Sequence, residues 1–139
     1  MLYRKTLFPE IATLTILVAF FHILFLQFLL YWTTDWADIV THFLGGALIA
    51  LIVIFIFFSS GYTKTSGFKK ELGTSSFFIW LFTLCLVLII GIIWELWEAW
   101  TGLIDFPADR LDSLADLVMD LIGGIFATLY AYYRVWKQD

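Results

Sequence analysis

Four long apolar runs dominate the chain and limit what it can fold into. They cover residues 7–32, 37–58, 76–100 and 111–133. A helix needs about 20 predominantly apolar residues to cross the hydrocarbon core of a bilayer, and each run is long enough. Composition supports a membrane protein because 62% of the 139 residues are hydrophobic and only 14% are charged. A water-soluble helical bundle, the alternative, requires a polar outer face that these runs lack.

The sequence therefore predicts an all-α, polytopic membrane protein with four transmembrane helices in a single domain over residues 1–139. The connection over residues 59–74 contains three lysines and three glycines, which is typical of a flexible polar loop. The formal net charge is −4, so the chain lacks the basic excess of nucleic-acid-binding proteins. The lipid bilayer is the expected partner.

A short polar pattern occurs twice in the apolar runs, at a constant offset of 78 residues (116 − 38 and 123 − 45). Each copy has an acidic residue, a polar residue four positions later and then a Gly-Gly pair: Asp38, His42, Gly45 and Gly46, and Asp116, Asp120, Gly123 and Gly124. This predicts two tandem two-helix repeats, approximately 1–60 and 75–139, whose related helices pair through the glycines. A chance match between apolar helices is the alternative.

Charges of opposite sign lie on opposite sides of the predicted topology. One side carries the bases Arg4, Lys5, Lys64, Lys69, Lys70, Arg134 and Lys137. The other side carries nine of the twelve acids: Asp35, Asp38, Glu95, Glu98, Asp105, Asp109, Asp112, Asp116 and Asp120. The positive-inside rule then predicts an inner (cytoplasmic) membrane protein with both termini in the cytoplasm and an acidic outer side.

Acids at the outer ends of the predicted helices suggest a common site. Glu95 and Glu98 share one side of the third helix, and an acidic residue recurs every fourth position on the fourth helix. An ionised carboxylate inside a bilayer costs at least about 2.5–3.5 kcal/mol, so these charges must be compensated. Arg110 is the only base on this side. A bound divalent cation, protons held on the carboxylates, or a water-filled cleft could compensate them.

A cation satisfies the most groups at once. The predicted metal ligands are His42, Glu95, Glu98, Asp112, Asp116 and Asp120. We predict that Asp38 orients His42 or serves as the catalytic base. Oxygen ligands with a single imidazole suit Mg, Mn, Fe or Zn. Two alternatives remain for this cluster. It could relay protons or ions, or its polar side chains could serve only as structural hydrogen-bonding groups. For His22, in the first run, we predict an interhelical hydrogen bond, with membership of the site as the alternative.

Three motifs in this order resemble the YjdF-like family of bacterial inner-membrane proteins and, more distantly, VanZ-like proteins. They are Asp38-x-x-x-His42, Glu95-Leu96-Trp97-Glu98-Ala99-Trp100, and Asp109-x-x-Asp112-Ser113-x-x-Asp116 followed by Gly123-Gly124. The resemblance covers the last three helices. It implies a multi-helix membrane fold with acidic residues and one histidine gathered on one side, without an established activity. This chain departs from the family in a shorter N-terminal part, in Ser113 for threonine, and in Asp120 for a small residue.

Three functions are compatible with such a site. The first is a metal-dependent hydrolase or transferase that acts on a lipid-linked substrate. The second is a transport or sensing module for protons or metal ions, assembled as a homo-oligomer because four helices scarcely enclose a pathway. The third is a structural protein of the envelope, in which the cluster serves only helix packing. The residues alone leave open whether the protein is an enzyme.

Overall fold

The described residues of this computed structural model, 7–59, 76–105 and 108–135, are helical and include no strand. The helices are α1 (Phe8–Gln27), α2 (Leu30–Thr33), α3 (Trp36–Ile54), α4 (Ser76–Thr101) and α5 (Arg110–Val135), and a π-helix, Phe55–Ser59, continues α3. Four of these segments are long and apolar enough to cross a membrane: α1, α3 with its π-helix, α4 and α5. The all-α fold with four spans is confirmed. The predicted polar loop lies almost entirely outside the described residues.

The first apolar run is not one continuous helix, and this corrects the prediction. α1 ends at Gln27, and the chain turns at Leu29, whose φ of 55° lies in the left-handed region. Such a conformation costs about 1–2 kcal/mol for a residue with a side chain. Aromatic contacts hold the turn in place, because the Phe25 ring packs edge-on against Tyr31 (5.7 Å between centroids) and Trp36 (5.4 Å).

α3 and α5 form the most extensive helix pair. Gly46 of α3 lies directly against the backbone of Asp120, and Gly123 of α5 lies against the backbone of Phe43, so a Cβ fits at neither glycine. Two pairs meet across this interface at the repeat offset, Asp38 with Asp116 (116 − 38 = 78) and His42 with Asp120 (120 − 42 = 78). The two helices are therefore parallel and lie at similar depth. The predicted contact through the glycine pairs is confirmed, whereas the tandem duplication stays a prediction.

α4 packs against both α3 and α5 through one narrow stripe. Its buried residues recur at every fourth position: Ile79, Thr83, Val87, Gly91 and Glu95. Positions four apart lie on the same face of a helix, so the stripe that joins α4 to the bundle also carries Glu95 inwards. The other faces of α4 expose large apolar side chains such as Ile93 and Leu96, as expected for a helix in contact with lipid.

α1 lies at the edge of this three-helix core. It contacts α3, and Phe25 is its one buried residue. Far from the acidic cluster, Glu10 Oε1 accepts hydrogen bonds from Arg134 Nε and the Tyr130 hydroxyl, each at 3.1 Å. This ion pair ties the first turn of α1 to the last turn of α5. Sequence reasoning missed Glu10, because one acid near a helix start usually has no tertiary partner.

Candidate functional site

His42 lies at the centre of the acidic cluster. It is 7% exposed, and its two ring nitrogens face different carboxylates. Nδ1 is 3.4 Å from Asp120 Oδ2, while Nε2 is 3.5 Å from Asp38 Oδ1 and 3.9 Å from Glu95 Oε1. Because these residues come from α3, α4 and α5, the three core helices meet at this imidazole.

Two groups of side chains around His42 are spaced closely enough to hold a cation. The ligand atoms of Asp38, His42 and Asp116 lie within 4.8 Å of one another, and so do those of His42, Glu95 and Glu98. Metal–ligand bonds of about 2.0–2.2 Å bring neighbouring ligand atoms to within about 4 Å of one another. Small side-chain movements would therefore close either group around a metal ion.

Two buried carboxylate oxygens in the cluster, Glu95 Oε1 and Asp116 Oδ1, have no hydrogen-bond partner in the part of the chain that the structure describes. Glu95 is 8% exposed and Asp116 is 3% exposed, so bulk water does not solvate these atoms. A buried polar group left unsatisfied costs about 1–3 kcal/mol, and more when it is charged. Both oxygens therefore need a compensating contact that the described side chains do not supply.

No arginine or lysine of the described residues neutralises the cluster. Two arginines lie in these segments, Arg110 and Arg134. Arg110 is exposed at the start of α5, and Arg134 pairs with Glu10 in the last turn of the same helix. The acids are therefore not compensated by ion pairs with arginine or lysine in this part of the chain.

The structure gathers all of the predicted site residues except Asp112. That residue is exposed and belongs to neither ligand group. At about 100° per residue, Asp112 lies about 80° from Asp120 around the helix, whereas Ser113 lies only about 20° away. Ser113 is accordingly buried, and its side chain hydrogen bonds to Glu95. The angular position of Ser113 around the helix, close to that of Asp120, was the signal that could have placed it beside the site.

Gly91 of α4 is a second residue that sequence reasoning missed. A Cβ built on Gly91 would lie 2.6 Å from Asp120 Oδ2, so the missing side chain provides the space that the carboxylate fills. In the sequence, Gly91 is one more small residue in an apolar helix. Its four-residue spacing from Glu95 was the available signal.

A line of polar groups connects the cluster to the α1–α2 turn. The Thr41 hydroxyl lies 2.9 Å from the Asp38 carbonyl oxygen and 3.4 Å from Asp38 Oδ1. The Tyr31 side chain lies near Thr41, and its hydroxyl shares a 2.9 Å hydrogen bond with His22 Nδ1. Burial raises the pKa of the Tyr31 hydroxyl, which keeps its proton. The hydrogen bond predicted for His22 is confirmed, with a partner on the short helix α2.

All of these groups lie at one end of the bundle. Asp38 is in the first turn of α3, Glu98 is in the last turn of α4, and Asp116 is in the second turn of α5. At about 1.5 Å per residue, the members of the two ligand groups lie within about 10 Å of the helix ends, and Asp120 lies about 15 Å from the start of α5. The arrangement can bind a divalent cation through oxygen ligands and one imidazole, close to a membrane surface.

Comparison with known proteins places the chain in a family. No curated protein and no solved structure matches it. A family model described as "Predicted membrane protein (DUF2238)" matches residues 1–137, nearly the whole chain. This match confirms the YjdF-like resemblance, whereas the VanZ-like resemblance stays a prediction. The chain therefore belongs to the DUF2238 family of predicted membrane proteins.

Proposed function

We propose that this protein binds a divalent cation within its acidic cluster and acts as a metal-dependent hydrolase or transferase on a lipid-linked substrate. His42, Glu95, Glu98 and Asp116 would supply ligands for Mg, Mn, Fe or Zn. The unpartnered, buried oxygens of Glu95 and Asp116 are the observation that carries this proposal. A cation would satisfy both oxygens and offset charges that no described arginine or lysine neutralises.

Asp38 has the position of a general base in this proposal. A bound divalent cation would lower the pKa of a water molecule and offset negative charge on a phosphoryl oxygen. Asp38 Oδ1 lies beside His42 Nε2 and is one-third exposed, so it can take a proton from a water molecule next to the ligands. Thr41 limits the rotation of this carboxylate through its contact with Oδ1.

The lipid-linked substrate follows from where the cluster lies. It is near one end of a bundle whose outer surface is apolar, so a headgroup can reach the carboxylates while the acyl chains stay in the bilayer. The distribution of basic residues supports an inner-membrane location with cytoplasmic termini, which puts the cluster on the outer side. Arg110 is exposed on that side and offers one cationic contact for an anionic headgroup.

Metal analysis of detergent-purified protein tests the cation. We expect about one equivalent of a divalent metal in the wild type after incubation with Mg, Mn, Fe or Zn and removal of excess ions. We expect His42→Ala and Glu95→Gln to lose it, because each removes a central ligand. Asp35→Asn is the matched control, since Asp35 is an exposed acid on the same side of the bundle. A folded wild-type protein that takes up none of these metals would refute the proposal and favour a purely structural cluster.

The reaction is tested by separating metal binding from turnover. We expect Asp38→Asn to retain the metal but to lower the rate of phosphate release from a lipid phosphate ester by about 10²–10⁴-fold, the usual contribution of a general base. Glu95→Gln should lose both properties. Equal turnover in Asp38→Asn and wild type would rule out the role of Asp38 as the base.

One observation favours a second candidate, an ion or proton relay. Polar groups lie in sequence between His22 and Asp38: His22 hydrogen bonds to Tyr31, Tyr31 lies near Thr41, and the Thr41 hydroxyl contacts Asp38. A relay predicts ion flux in proteoliposomes that stops in Asp116→Asn and Tyr31→Phe. Flux that is absent from wild-type proteoliposomes, in a protein that binds metal and hydrolyses the ester, would leave the enzyme as the surviving candidate.

A further inference from the structure

The two nitrogens of His42 have different surroundings. Nδ1 faces one carboxylate, Asp120, at 3.4 Å, whereas Nε2 faces Asp38 at 3.5 Å and Glu95 at 3.9 Å. A neutral imidazole carries its proton on one nitrogen and binds a metal through the other. The surroundings of the two nitrogens therefore decide where a cation can be placed.

The Asp120 carboxylate is enclosed on the Nδ1 side. The residue is 4% exposed, and its Oδ2 approaches Gly91 of α4 so closely that a Cβ there would be 2.6 Å away. Its Oδ1 lies 4.0 Å from the position of a Cβ on Gly45 of α3. Asp120 belongs to neither ligand group. This carboxylate is thus confined between two helices, in contact with the imidazole and outside both ligand groups.

Two other acids of the cluster face Nε2, and the remaining two are grouped with those acids. Asp38 and Glu95 each approach Nε2 within 4 Å. Asp116 groups with Asp38, and Glu98 groups with Glu95. The two unpartnered oxygens, on Glu95 and Asp116, belong to these groups. Nε2 is therefore the nitrogen that faces one member of each group, Asp38 in the first and Glu95 in the second.

We propose that Asp120 is a positioning residue and not a metal ligand, an inference that rests on the cation site proposed above. Asp120 accepts a hydrogen bond from Nδ1–H and so keeps Nε2 unprotonated and directed at the cation. Because a single nitrogen lone pair binds one metal, the site holds one divalent ion, with Asp116 from one group and Glu95 and Glu98 from the other as its carboxylate ligands. This differs from the prediction from sequence, which counted Asp120 among the ligands and gave the orienting role to Asp38.

Nitrogen-15 NMR of histidine-labelled protein tests the assignment directly. The chain has only two histidines, and a His22→Gln variant assigns the His42 signals. On addition of Zn²⁺, used as a diamagnetic probe, we expect the Nε2 resonance to shift to the metal-bound range while Nδ1 keeps its proton. A zinc-dependent shift at Nδ1 would overturn the inference and leave the cation site intact. Absence of zinc binding by any measurement would instead remove the cation site and the inference with it.

Variants of Asp120 separate positioning from ligation. Loss of an outer partner of a metal-bound histidine typically costs 10–100-fold in metal affinity. We expect about that loss of Zn²⁺ affinity in Asp120→Leu, with one zinc still bound at saturation, and a smaller loss in Asp120→Asn, which retains an acceptor oxygen. Asp116→Leu should lose more affinity than Asp120→Leu because it removes a ligand. A loss in Asp120→Leu equal to or larger than that in Asp116→Leu would refute the positioning role.

A change on the neighbouring helix gives an independent test. In Gly91→Ala the new methyl group would push the Asp120 carboxylate away from its position, so we expect zinc affinity to fall about as far as in Asp120→Leu. Gly45→Ala is the matched control, because its Cβ makes only ordinary contact with Asp120 at 4.0 Å. Thermal unfolding without metal shows whether either variant is misfolded. Unchanged zinc affinity in a folded Gly91→Ala protein would contradict the inference.

Discussion

Asp112 and Asp116 lie about one turn apart on α5, yet they have different surroundings. Asp116 is 3% exposed and has an unpartnered oxygen, whereas Asp112 is exposed. A buried unpaired charge opposes folding unless a ligand neutralises it. Without metal, Asp116 is therefore expected to lower the free energy of unfolding. Such a trade-off between stability and function is typical of functional sites.

Neutralising Asp116 should therefore affect stability and metal binding in opposite directions. In the presence of a chelator, we expect Asp116→Asn to raise the free energy of unfolding by about 1–2 kcal/mol, because the buried charge is removed. With metal added, the wild type should gain stability and the variant should not. Thermal unfolding in detergent with and without metal measures both effects.

Asp112→Asn provides the comparison, since its carboxylate is solvated in either condition. We expect a free energy of unfolding within about 0.5 kcal/mol of the wild-type value, as for a surface substitution. Metal binding should be unchanged. A chelator-treated Asp116→Asn protein that is less stable than wild type would show that Asp116 has a structural partner.

The residues that gather in the cluster could be predicted from sequence because each breaks a local rule. His42, Glu95 and Asp116 are polar groups in apolar helices, and that cost identifies them without a structure. Gly91 and Ser113 could not be identified in this way. Glycine contributes only space and serine only a hydroxyl, and neither is unusual in a membrane helix.

Helix pairing was predictable where the sequence contains a packing signal. The two Gly-Gly pairs in the sequence indicated the point of contact between α3 and α5, because only glycine allows two helix backbones to touch. The break after Gln27 was not predictable, since leucine at position 29 gives no turn signal. That conformation depends on the packing of Phe25 against neighbouring aromatic rings, which local sequence does not encode.

Two adjacent glycines of α3 should respond differently to alanine. A Cβ on Gly46 would collide with the backbone of Asp120, whereas a Cβ on Gly45 makes ordinary contact. We expect Gly46→Ala to lower the free energy of unfolding by about 1–3 kcal/mol, because α3 and α5 must separate. Gly45→Ala should be neutral within about 0.5 kcal/mol. Denaturant titration in detergent measures both, and equal stabilities would argue against close contact at Gly46.

At the scale of the whole molecule, charge asymmetry predicts the orientation in the membrane. The predicted cytoplasmic loop carries Lys64, and the exposed Asp105 lies on the acidic side. In a Cys85→Ser background, which removes the chain's single cysteine, we expect Asp105→Cys to react with a membrane-impermeant maleimide in intact spheroplasts. Lys64→Cys should react only after lysis. The reverse pattern would place the acidic cluster on the cytoplasmic side.

The ion pair between Glu10 and Arg134 joins groups separated by 124 positions, so its partners leave the ribosome far apart in time. During synthesis α1 enters the bilayer first, and Glu10 lacks its partner Arg134 until α5 has been made. The same delay applies to His42, which gains Asp116 and Asp120 only with that last segment. A nascent protein interrupted before α5 would thus leave His42 without two of its carboxylate neighbours.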